Sequence, residues 1–102
     1  MSENVKLNRT VKDGDKKIKE VVFDPEALTG EDLASAEREY LSMGGIPTNL
    51  TSSVTYLQHV AARACKVNVD VVRAMSAKDS AYLSTRVQVF LLDMQLPSLP
   101  GS

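Results

Sequence analysis

The sequence predicts an α+β fold: an N-terminal two-stranded β-hairpin followed by a compact bundle of three to four helices. Three observations predict it. Apolar residues alternate with polar ones through Val5, Leu7 and Val11, and again through Ile18, Glu20 and Val22, on either side of Asp13-Gly14-Asp15. That pattern signals two strands joined by a tight turn. From Leu33 onward the apolar spacing changes to three and four, the helical period. Finally, the chain has 102 residues, 43 % hydrophobic and 25 % charged, which suits one ordinary globular domain rather than two, or a disordered segment.

The hairpin spans about residues 4–24, and Asp24-Pro25 ends its second strand, with a helical turn running toward Leu28. Thr29-Gly30-Glu31-Asp32 opens the first long helix. Thr29 caps it, Asp32 completes a capping box, and Leu28 with Leu33 forms a hydrophobic staple. Leu33, Ala36, Tyr40 and Leu41 mark its apolar face, and Met43-Gly44-Gly45 ends it. Ile46-Pro47-Thr48-Asn49 reads as a loop, and Thr51, Ser52 and Ser53 are each able to cap a second helix through Cys65. The stripe expected to be buried there is Val54, Leu57, Val60, Ala61 and Ala64, with His59 and Arg63 on the opposite, solvated face. Lys66-Val67-Asn68 breaks that helix, and a very short helix begins at Val69. Ser76 then caps the last helix, about Ala77 to Met94, with Asp79 three residues further on. The helices occupy about residues 29–94, the domain residues 1–95, and the Pro-rich segment 96–102 reads as a flexible tail.

The last helix carries two apolar stripes. At about 100° per residue, Leu83, Val87, Phe90, Leu91 and Met94 form one, expected to face the core. Tyr82, Val89 and Leu92, with Leu96 beyond, form the other. A helix apolar on two sides is buried on both or meets a partner. Either the hairpin covers the second stripe, or Tyr82, Val89, Leu92 and Leu96 form a surface for a client or for self-association.

Charge is distributed unevenly around a formal net of −1. Lys6, Arg9, Lys12, Lys16, Lys17 and Lys19 crowd the hairpin, Glu and Asp follow through Glu39, and no Glu occurs after residue 50. The basic hairpin residues Lys6, Arg9, Lys16, Lys17 and Lys19 are a second candidate contact surface, for acidic segments or another hairpin. They also guard its edges against unwanted pairing.

Groups able to do chemistry are few. His59 is the single histidine, so one chain builds neither a His-based triad nor a multi-histidine metal site. Cys65, the single cysteine, excludes an internal disulfide and reads as a small buried core residue. Asp79-Ser80 is the dipeptide that carries phosphopantetheine in acyl carrier proteins, but Ala81 follows it and the helix is not acidic. Gly44-Gly45 lacks a phosphate-loop context. The expectation is a non-enzyme with no catalytic residue, cofactor or metal. The polar N-terminus and the lack of a long apolar run add an expected cytoplasmic location without membrane contact.

One binding pattern competes. His59 to Val72 loosely follows a helix-turn-helix, with small Ala62 and apolar Val67 and Val72. Lys66 stands where Gly is often wanted, and the second helix opens Val69-Asp70-Val71, poor in donors for base edges. A small helix-turn-helix DNA-binding regulator is therefore the alternative reading, and nucleic acid is not the expected partner.

From Val5 to about Met94 the chain resembles the phage tail assembly chaperones, small proteins of long-tailed temperate phages and prophages. The likeness rests on the charged hairpin ending Val21-Val22-Phe23-Asp24-Pro25, the helix start Leu28-Thr29-Gly30-Glu31-Asp32-Leu33, and the spaced Val72, Met75, Asp79, Leu83, Val87 and Phe90-Leu91. The resemblance implies a chaperone of virion morphogenesis in the host cytoplasm. It would bind the tape measure protein, help the tail tube protein assemble and be absent from the finished virion. It also implies that a longer product can arise by ribosomal frameshifting near the end of the short form.

Overall fold

The computed structural model describes residues 2–46 and 53–95, the side chains of Met94 and Gln95 excepted. Leu96, the tail 96–102 and the candidate caps Thr51 and Ser52 lie outside the described residues. Two strands, β1 (Glu3–Asp13) and β2 (Lys16–Phe23), pair antiparallel and precede a 3₁₀ turn, Pro25–Ala27. Four helices follow: α1 (Gly30–Ser42), α2 (Val54–Cys65), α3 (Val69–Ala74) and α4 (Ala77–Gln95). This is the α+β architecture expected, with the short helix α3 counted in the bundle.

The strands turn through Gly14 and Asp15, and the positive φ falls on Gly14 at 63°. Gly at the first central position suits a primed two-residue turn, whose twist matches that of the strands. The ladder is not regular. Lys6 faces Glu20 and Val11 faces Ile18, so residues 7–10 of β1 stand opposite Lys19 alone, a pronounced β-bulge. Strand side chains alternate, so Ile18 and Val21 lie on opposite faces of β2. The bulge thus lets the hairpin bury Val5, Val21 and Phe23 at its base and Val11 nearer its tip. The expected alternation Ile18, Glu20, Val22 fails for this reason: Val22 is exposed, while Val21 and Phe23 are buried.

Local signals set the helix ends. Thr29 and Asp32 form the reciprocal capping box at the start of α1. The Asp32 carboxyl is held below its ordinary range, chiefly by the Thr29 backbone N–H that donates to it. Arg38 lowers Glu31 in the same way through a 2.6 Å contact. Gly44, at φ 89°, ends α1, and a Cβ at Gly45 would run into the Tyr40 ring. Leu41, expected on the apolar face, is exposed instead. Ser53 caps α2, its hydroxyl accepting from the Tyr56 N–H. At the other end Lys66 takes the left-handed conformation at φ 56°. The N–H groups of Lys66 and Val67 donate to the Arg63 and Ala62 carbonyls, a Schellman closure.

Helix α2 is the centre of the molecule. It packs against α1, α3, α4, β2 and the 3₁₀ turn, and buries Tyr56, Leu57, His59, Val60, Ala61, Ala62, Ala64 and Cys65. Small side chains on several sides let neighbours approach closely. The Asp24 N–H donates to the Ala64 carbonyl and ties the end of β2 to this helix. Val54 alone of the expected stripe is exposed, since it opens the helix at its outer end.

Burial also fixes the state of Cys65. With its thiol pushed up to about 12 by desolvation, it is neutral and shielded at neutral pH. A disulfide reagent at pH 8 is therefore expected to label native Cys65 far more slowly than the urea-unfolded chain. The unfolded thiol ionises near 9.0 and the folded one near 12, so alkali in that window favours the unfolded state and stability falls as pH rises. Labelling at equal rates in both states overturns the assignment.

Candidate functional site

Helix α4 positions the candidate contact surface. One side of it is core: Leu83, Val87 and Leu91 are buried and Phe90 half-buried. The opposite side stands open, with Tyr82 40 %, Val89 50 % and Leu92 44 % exposed. The hairpin covers only the start of this stripe. The Tyr82 hydroxyl donates to Glu3 Oε2 at 2.6 Å, which raises the phenol above its ordinary range, and Arg86 pairs with Glu3 Oε1 at 3.1 Å. Arg86 also lies over the Tyr82 ring, 5.8 Å from its centre. Val89 and Leu92 lie beyond the reach of these contacts. Of the four stripe residues, Leu96 lies outside the described residues.

Next to the stripe, α2, α3 and α4 enclose an open groove of about 520 Å³. Val54, Leu57, Met75 and Ala81 give it apolar walls, Thr85 and Gln88 form the α4 rim, and Arg73 stands at the α3 side. Gln58 Nε2 donates to Ser80 Oγ at 2.9 Å across its floor, fixing the spacing of α2 and α4. Such a groove offers shape and apolar area with a few hydroxyl and amide groups.

The basic residues do not gather into one site. Lys6 faces Glu20 across the hairpin, Lys16 faces Asp13, and Lys17 faces Lys12 near the turn. Arg9 sits within the bulge and Lys19 opposite it. All are exposed, and the Lys12–Lys17 pair places like charges directly opposite each other.

Two polar residues behave differently from expectation. His59 is buried, at 4 % exposure, not solvated: its Nδ1 lies 2.8 Å from Glu39 Oε1, and Glu39 Oε2 accepts from Arg63 at 2.6 Å. This clamp joins α1 to α2 and flanks a smaller cleft of about 300 Å³. Asp79 is buried too. Its backbone N–H donates to the Ser76 hydroxyl, as capping requires, but its carboxylate accepts from the Asn8 N–H of β1 at 2.8 Å. Asp79 is therefore an anchor for the bulged strand, a role that its place in the capping signal does not announce.

Among the described residues, no three of His, Cys, Asp and Glu stand together as a metal ion would need. No helix among them is long and apolar enough to cross a membrane. Comparison with protein-family models, with curated proteins and with solved structures gives no match.

Proposed function

We propose that this chain is a phage tail assembly chaperone, a non-enzyme that binds the tape measure protein and supports assembly of the tail tube protein in the host cytoplasm. The observation that carries this reading is the open apolar groove between α2, α3 and α4. A long helical client presents apolar residues at helical spacing, and such a groove receives one face of that helix while water is excluded from both. The sequence resemblance supplies the client, and the groove supplies a mode of holding it soluble before the tube forms. The protein acts before the virion is complete and is absent from it.

Val54→Glu with Arg73→Glu alters two exposed groove residues without touching the core. The double variant is expected to keep its circular dichroism spectrum and to lose at least about tenfold in affinity for a tape measure fragment. Full binding by the folded variant overturns the groove assignment, and wild-type protein that does not bind overturns the client.

A second reading, the helix-turn-helix regulator, is favoured by one feature: Lys66 adopts the left-handed conformation between α2 and α3, where such a turn needs it. Against it, α3 has only 6 residues and buries Val71 and Val72, leaving Asp70 and Arg73 outward. A DNA mobility shift that weakens steeply with salt favours the regulator; the chaperone is expected to give none.

A further inference from the structure

We propose that the groove between α2, α3 and α4 takes an amphipathic helix that carries a carboxylate beside its apolar face, and that Arg73 pairs with that carboxylate. The inference rests on the reading of this groove as the client site and adds the client's chemistry to it. The long walls differ in size. On α4 the wall is Ala77, Ser80, Ala81, Ser84 and Thr85, all small, at helical spacings of three, one, three and one. Facing it stand Val54, Leu57 and Met75, larger and apolar. Small side chains let a second helix approach with its axis about 8 Å away, the near end of the packing range. From Ala77 to Gln88 the wall runs about 16 Å, three turns of helix. Ser84 stands on this wall at 6 % exposure, and its hydroxyl has no hydrogen-bond partner. Buried hydroxyls are nearly always paired, so the wall holds one polar group that its own chain does not satisfy.

Charge then narrows the occupant. Among the described residues, Arg73 is the single ionised side chain that lines the groove, and no carboxylate lines it. Arg73 is exposed and makes no ion pair among them; Asp70, one turn earlier on α3, is not within pairing distance. Lys78, exposed in the first turn of α4 next to Ala77, adds a second positive charge. An apolar face alone would enter such a groove whatever charges flank it. An unpaired guanidinium at its edge favours a flanking carboxylate, which it can hold with two N–H groups at once, and repels a flanking Lys or Arg. The formal net charge of the chain is −1, so bulk attraction does not favour an acidic partner and the preference is local to Arg73.

The test uses two synthetic helical peptides of about 18 residues with the same leucine face, long enough to hold a helix. One carries Glu and the other Lys at both ends of that face. Each is titrated against the full chain by fluorescence anisotropy at about 0.15 M salt, where charges more than about 8 Å apart are screened. Wild type is expected to bind the Glu peptide about three- to tenfold more tightly than the Lys peptide. Arg73→Glu is expected to reverse that order. Lys17→Glu, the same change of charge at the hairpin tip, is expected to leave it. Ala81→Trp fills the groove from an exposed position and is expected to weaken both peptides at least about tenfold with an unchanged dichroism spectrum. Binding of neither peptide, equal affinity for the two, or an order that Arg73→Glu does not change overturns the proposal. So does a free chain that sediments as a dimer until Ala81→Trp dissociates it, because the groove then holds a second copy. A tape measure fragment that wild type does not bind, beside peptides sorted by charge as expected, removes the client and leaves the role of Arg73 standing.

Discussion

Phe23→Ala is expected to lower the free energy of unfolding by about 3–5 kcal/mol, measured by urea denaturation followed by circular dichroism. Phe23 ends β2 at 1 % exposure, the largest of the fully buried side chains, and stands beside the hydrogen bond from Asp24 to the Ala64 carbonyl. Removing the ring strips the base of the hairpin of its main apolar anchor and leaves a cavity against α2. A domain of this size has about 5–15 kcal/mol in total, so the loss is a large share of it. The expected consequence is an earlier unfolding midpoint, with the amides of β1 and β2 exchanging faster than those of α2. A change below about 1 kcal/mol would show that the hairpin is not joined to the bundle through this residue.

Asp79→Ala is expected to cost about 1.5–3 kcal/mol, the range for a hydrogen bond to a charged group. The carboxylate of Asp79 is the acceptor for Asn8 N–H within the bulge, where strand pairing does not provide one. Alanine leaves that donor without its acceptor and opens a small void at a buried position. Asp79→Asn keeps an acceptor oxygen of nearly the same shape and is expected to cost less than half as much. Hydrogen exchange at Asn8 separates this from a pure capping effect. Loss of protection at Asn8 supports the anchor, whereas loss confined to the first turn of α4 supports the cap alone.

Local rules carried much of the fold into view. The Thr29–Asp32 capping box, the Ser53 and Ser76 caps and the glycine turn each depend on residues within a few positions of one another, so spacing alone reveals them. The core side of α4 was legible for the same reason: Leu83, Val87 and Leu91 share one helical face. What escaped depends on distant partners. The burial parity of β2 reverses because residues in β1 bulge, and nothing within β2 records it. His59 read as solvated because a periodic stripe assigns one face to water, whereas α2 is surrounded on several sides. The run of small residues Ala61, Ala62 and Ala64 around it was the available sign of close packing. Glu39, which meets His59, comes from α1 and could not be paired with it by spacing. Of the candidate contact surface, the exposure of Val89 and Leu92 was foreshadowed by the doubled apolar pattern. The groove required three helices to be placed in space before it existed.

The bonds that bind the bulged strand to α4 also set an order of events in folding. Asn8 and Asp79 are separated by 71 positions in the chain, and Glu3 and Tyr82 by 79. Strand β1 is synthesised well before its partners in α4. The hairpin can pair with itself early, but a two-stranded ribbon alone is marginal in water. Its docking therefore waits for α4, and long loop closures of this kind are slow. During that interval the exposed Lys and Arg side chains of residues 6–19, with the bulge in β1, blunt the open edges of the hairpin, which gives the clustered positive charge a purpose in the nascent chain.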